Sequence, residues 1–294
     1  MMTIFTCPKP FTDPHIRTIQ RNAIGSWQQL QPKCEVILLG DDLGVRDVAA
    51  EYHVKHVPDI ERNEHGTPLI NSLFARATAS ASNSLLAYVN ADILLSPNFA
   101  ALLLQINLDP FLAIGRRWCL EMPEPSNAGE SCVDQVLWER LVSGGKPDAS
   151  NAIDYFVFRR NMWRDIPPFA LGRTSWDNWL VWWARSAGIP VVDLTECIKV
   201  IHQRHDYSHY EGGQSALWHG AEAQENLKLA GGYGRMFDLD DATHFMVRTG
   251  VVPFRDRTHL LRRAERLSVL RPRVASFVPW WKARMALCWT FPNL

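Results

Sequence analysis

Ser84-Leu85-Leu86-Ala87-Tyr88-Val89-Asn90-Ala91-Asp92-Ile93-Leu94-Leu95 is an apolar run, then an amide and a carboxylate one residue apart, then a second apolar run. A buried strand that ends in Asn-x-Asp sets oxygen ligands at the carboxyl edge of a sheet, where open α/β sheets bind their ligands. A hard divalent cation takes such oxygens, and nucleotide phosphates complete its shell. The stretch therefore points to an enzyme that uses a nucleotide diphosphate donor. Its plainer reading is a strand exit with an Asp in the turn.

Working outward, strand and helix patterns alternate through residue 118. Thr3–Cys7, Cys34–Leu39, Val54–Val57, Leu85–Val89 and Phe111–Gly115 read as strands. Helical spacing covers His15–Leu30, with Thr12 or Asp13 as N-cap, then Val45–Tyr52, Pro68–Ala81, and a helix from Ser96-Pro97 to about Ile106. Strands separated by such helices indicate an α/β fold, a mostly parallel central sheet with helices on both faces. From Cys119 to Asn151 polar residues, Gly and Pro dominate, apart from a short helix around Val133–Leu141. So long an excursion reads as a lid. Order resumes with a strand at Ile153–Phe158, a helical turn near Met162–Asp165, a Trp-rich helix Trp176–Ala187, strands Val191–Asp193 and Ile198–Ile201, and a helix from Ala221 to Leu229. The expected division is 1–254, with halves 1–118 and 119–254, and a basic, Trp-rich helical tail 255–294.

The chain has 294 residues, with 31 Lys+Arg and 31 Asp+Glu. A balanced chain does not attract nucleic acid. The tail, however, carries nine basic and two acidic residues, net +7, which leaves net −7 on the rest. Arg262, Arg263, Arg266, Arg271, Arg273, Lys282 and Arg284 interleave with Leu and Trp, a pattern suited to peripheral contact with an anionic membrane or to a helix packed back on the domain. Six cysteines without a Cys-x-x-Cys read as reduced thiols of a cytoplasmic protein. No signal peptide or spanning segment is expected.

Four other groups are candidates for chemistry. Asp41-Asp42 follow an apolar strand and suit a ribose hydroxyl or base nitrogen, or a helix cap. Asp177 opens a Trp-rich helix; it is either a first-turn acid favoured by the helix dipole or a general base raised by aromatic desolvation. His202, His205 and His209 follow a buried strand. They read as metal ligands, on one helix face if the segment is helical, or as a polar loop. Arg116-Arg117 at a strand end suit a diphosphate, or are a solvated pair.

With these residues in view, the chain resembles GT-A nucleotide-sugar glycosyltransferases of the bacterial family 2 type over roughly Thr3 to Tyr210. Asn90-Ala91-Asp92 is similar to that family's D-x-D motif, with Asn90 in place of the first acid. Trp176-Asp177-Asn178 lies where its catalytic base often stands, without the preceding Glu, and Ile201-His202-Gln203 resembles its late metal-binding histidine. The resemblance implies a Rossmann-like GT-A fold and inverting transfer of a sugar from a UDP-, GDP- or TDP-linked donor to a glycan, lipid or protein hydroxyl. It implies Mg²⁺ or Mn²⁺ on Asp92, His202 and His205, with Asp177 as base and Asp41, Asp42, Asn90, Asp92, Arg116 and Arg173 on the donor. A sugar-phosphate nucleotidylyltransferase shares the layout, but Cys7-Pro8-Lys9-Pro10-Phe11-Thr12 lacks the glycines its triphosphate loop needs. A His-cluster metal-dependent hydrolase and a non-catalytic nucleotide-sugar-binding protein remain as alternatives.

Overall fold

The computed structural model describes residues 1–120, 138, 143, 145–205 and 213–271. Alternation along single strands decides how its layers form. In β1 (Met2–Thr6), Ile4 faces one apolar cluster and Phe5 the other. In β4 (Leu85–Val89), Leu85, Ala87 and Val89 face the first cluster, and Leu86 and Tyr88 the second. A strand apolar at both parities is buried on both faces, as parallel sheets are.

Helices cover each face. α1 (Pro14–Gln28), α2 (Val45–Glu51) and α4 (Phe99–Leu103) pack on the first cluster through residues such as Ala23, Trp27, Val48 and Phe99. α3 (Ile70–Ser80) and α5 (Trp176–Ser186) pack on the second through Leu73, Phe74, Trp176 and Trp179. Asp13 is the N-cap of α1, its Oδ1 accepting the Ile16 amide at 2.8 Å.

The remaining strands are β2 (Glu35–Leu39), β3 (Lys55–Val57), β5 (Ile93–Leu95), β6 (Leu112–Ile114), β7 (Arg117–Leu120), β8 (Tyr155–Arg159), β9 (Val191–Asp193), β10 (Val200–Gln203), β11 (His244–Val247) and β12 (Gly250–Pro253). Nine form one sheet in the order β12-β11-β9-β6-β8-β4-β1-β2-β3, mostly parallel as expected, with β8 and β12 antiparallel to their neighbours. A second sheet, β5-β10-β7, lies outside anything the sequence patterns suggested. Its strands are three or four residues long, too short to show a period.

Other boundaries shift. The helix expected from Ser96 runs only from Phe99 to Leu103, and residues 162–165 are not helical. The strand expected at Ile198–Ile201 runs from Val200 to Gln203. Beyond it come α6 (Gly213–His219) and α7 (Ala221–Ala230).

The start of the basic tail, α8 (Arg257–Leu270), docks on the body. The buried Asp241 carboxylate accepts from Arg262 Nε at 2.8 Å and Arg266 Nε at 3.1 Å. Arg266 Nη2 also donates to the Met236 carbonyl, and Val269 and Leu270 join the second cluster. These arginines face protein. Arg273, Lys282 and Arg284, with the tail tryptophans, lie outside the described residues. No helix among the described residues is long and apolar enough to cross a membrane.

Asp241→Ala should destabilise the protein by about 2 kcal/mol, below the ~3–5 kcal/mol of a fully buried pair, because its guanidinium partners are 20–30% exposed. Urea unfolding would show a lower midpoint at unchanged slope. An unmoved midpoint would show that this network does not anchor α8.

Candidate functional site

A cleft of about 780 Å³ opens at the carboxyl ends of β1, β2 and β4. Lys9 follows β1, Asp42 follows β2, and Asn90 and Asp92 follow β4. Because β8 is antiparallel to β4, it is the residue before its first one, Asp154, that reaches this edge; its carbonyl accepts the Asn90 amide at 2.9 Å. α5 contributes Trp176 and Asp177 from its first turn. Ser175, just ahead of it, holds φ at 87°, a left-handed conformation that costs an L-residue strain and here fixes the helix's entry.

The Asn90-Ala91-Asp92 turn is where the chain passes from the large sheet to the small one. β10 pairs antiparallel with β5 and sets His202 opposite Ile93, next to Asp92. His202 thus sits on a strand and not on a helix, so the single helical face proposed for His202, His205 and His209 is incorrect. His209 itself lies outside the described residues. His202 and His205 converge nonetheless. Asp92 Oδ2 lies 3.4 Å from His202 Nε2 and 3.1 Å from His205 Nε2.

The other Asp92 oxygen, Oδ1, is buried with no hydrogen-bond partner among the described residues. An orphaned buried acceptor costs about 1–3 kcal/mol. Ligand atoms of Asp92, His202 and His205 all lie within 4.8 Å of one another. One carboxylate and two imidazoles with a bare oxygen fit a divalent cation. Burial alone would raise the Asp92 carboxyl, but the two imidazoles outweigh it and hold the group well below the usual carboxylate range.

Both ends of the Asn90 side-chain amide are bonded within the protein. Its Oδ1 accepts the Tyr88 hydroxyl at 2.8 Å, and its Nδ2 donates to Asp154 Oδ1 at 2.8 Å. Asp154 Oδ2 accepts from Arg117 Nη1 at 2.7 Å, and Arg117 Nε donates to Asp148 Oδ2 at 2.9 Å. Sequence reasoning missed Asp148 and Asp154. The available signal for Asp154 was one carboxylate opening an otherwise apolar strand.

Asp177 differs in its surroundings. Oδ1 accepts the Asn178 amide at 2.9 Å. Burial pushes its carboxyl up to about 6; Asp154 adds to the shift and Arg117 opposes it.

Of the remaining expected donor contacts, Asp42 and Arg173 line the cleft and Asp41 and Arg116 do not. Arg62 spans Asp42 at 2.8 Å and Asp41 at 3.1 Å, leaving Asp41 72% exposed. Arg173 donates to Glu222 at 2.9 Å. Arg116 lies 3.7 Å from Asp240, away from the cleft, and Arg117 takes the place expected of it. Adjacent residues at a strand point to opposite faces, so a pair delivers only one member. Of the expected lid, Asp148, Ala149 and Asn151 line the cleft, whereas 121–137, 139–142 and 144 lie outside the described residues.

No protein-family model matches the chain. No curated protein matches it. Among solved structures it is similar to glucosyl-3-phosphoglycerate synthase from Mycobacterium tuberculosis in complex with Mg²⁺ and uridine diphosphate, at 12% identity and TM-score 0.47 over 79% of this chain and 80% of that one. It is also similar to S. aureus TarS 1-349 in complex with UDP, at 10% identity and TM-score 0.47 over 78% of this chain and 64% of that one.

Mn²⁺ at a hundred times its Kd should stabilise the fold by about 2.7 kcal/mol, a rise of several degrees in Tm. His205→Ala should abolish most of that rise. An equal rise in the variant would place the ion elsewhere.

Proposed function

We propose that the protein transfers a sugar from a nucleoside diphosphate donor to a hydroxyl acceptor, with inversion at the anomeric carbon. The observation that carries this reading is the meeting of Asp92, Asp177 and His202, far apart in the chain, in one cleft at the strand ends. Asp92, His202 and His205 would hold a divalent ion, Mn²⁺ or Mg²⁺, which neutralises charge on the departing diphosphate. Asp42 contacts the nucleoside end. The Asp177 oxygen not tied to the Asn178 amide takes the proton of the acceptor hydroxyl. The acceptor oxygen then bonds the anomeric carbon as the bond to the diphosphate oxygen breaks, its electron pair leaving on that oxygen. The likeness to structures solved with UDP is consistent with a uridine donor. Glycan, lipid and protein hydroxyls all fit as acceptors.

The two-histidine, one-carboxylate set also favours a second reading, a metal-dependent hydrolase. Zinc retained through purification would support hydrolysis, whereas Mn²⁺ held loosely and tightened by UDP supports transfer.

The base must be ionised to accept a proton. With its carboxyl held near 6, kcat/KM should rise about tenfold per pH unit below that value and level off above it. Asp177→Asn should abolish transfer and leave nucleotide affinity within about twofold. Turnover at the unmodified rate in that variant would remove Asp177 from the role.

A further inference from the structure

Position 90 carries an amide where the resemblance expects an acid, yet the site does not lack a second carboxylate. Asp154 supplies one from β8, 2.8 Å from the Asn90 amide. We propose that Asp154 grips two neighbouring hydroxyls of the transferred sugar, so that the donor must present a free vicinal diol. The inference rests on the transfer reading and extends it to the class of donor sugar.

Five observations support it. Asp154 is 7% exposed and lines the cleft. Each of its oxygens takes one hydrogen bond from the protein, Oδ1 from Asn90 and Oδ2 from Arg117. A carboxylate has about four lone-pair sites, so each oxygen keeps capacity for a hydroxyl donor. The group is also rigidly held: Tyr88 fixes Asn90, Asn90 and Arg117 fix Asp154, and Asp148 fixes Arg117. Preorganised acceptors lose little entropy when a ligand binds. Asp154 is not part of the Asp92, His202, His205 cluster, so it does not count among the ligands of the proposed ion. It lines the same cleft as His202 and Asp177, between which the reacting ring must lie. A carboxylate repels phosphate and binds hydroxyl donors strongly, which selects the sugar over the diphosphate.

The test is isothermal titration with Mn²⁺, using UDP, GDP and TDP, their hexose conjugates, and monodeoxy forms of whichever hexose conjugate binds. Asp154→Asn should keep the Kd of the free diphosphate within about twofold and weaken the hexose conjugate about tenfold or more. Removing one of two adjacent hydroxyls from the donor should weaken the unmodified protein similarly and Asp154→Asn hardly at all. Equal weakening of free diphosphate and conjugate in the variant, or a deoxy penalty that survives it, would overturn the proposal. So would a lack of any deoxy penalty in the unmodified protein, a result that does not depend on the variant folding. Failure of every diphosphate to bind the unmodified protein would instead overturn the transfer reading, and this inference with it.

Discussion

The site depends on a change of sheet. The chain leaves the nine-stranded sheet at Val89 and enters the three-stranded one at Ile93, and Asp92 sits in the turn between them. Helix α1 stitches that seam from below. The fully buried Trp27 donates its indole N–H to the Ile93 carbonyl at 2.9 Å, and Asn22 donates to the Gln203 side chain at 3.0 Å. Gln203 Nε2 in turn donates to the Ile19 carbonyl at 2.7 Å and the Asp92 carbonyl at 3.1 Å. The backbone at Asp92 and Ile93 is therefore fixed by groups that do no chemistry. Among the described residues, one oxygen of its carboxylate is left without a hydrogen-bond partner.

Electrostatics then divides the carboxylates by role. Asp92 is answered by two imidazoles and Asp154 by a guanidinium and an amide. Asp177 is answered by a backbone amide and raised by burial. Environments that push one acid down and another up separate a charge-holding group from a proton-accepting one. Arg117 links the two halves of the cleft. It binds Asp148 and Asp154 and tempers the rise at Asp177.

What the sequence revealed follows from the range of the physics involved. β2, β4 and the Trp-rich helix were legible because their residues are buried on one or both faces, and burial leaves a local pattern. Asp42, Asp92 and Asp177 were legible as polar residues at the ends of those elements, and His202 as a polar residue following the largely apolar Ile198–Ile201 run. Asp154 was not, because its place depends on β8 running antiparallel into the middle of the sheet, a pairing between residues some 64 apart in the chain. Arg117 was passed over for Arg116 because β7, which fixes which of them faces the cleft, is a short strand of a sheet with no periodic signal. The basic tail could not be assigned between membrane contact and packing on the domain, because Asp241, which draws in Arg262 and Arg266, is itself buried in the body.

The most direct test of this account is an anomalous difference map from crystals grown with Mn²⁺ and UDP. It should show a manganese peak within bonding distance of Asp92 and the two imidazoles, with the diphosphate on the same ion. UDP bound at the cleft with no metal peak there, or a peak away from Asp92, would contradict it.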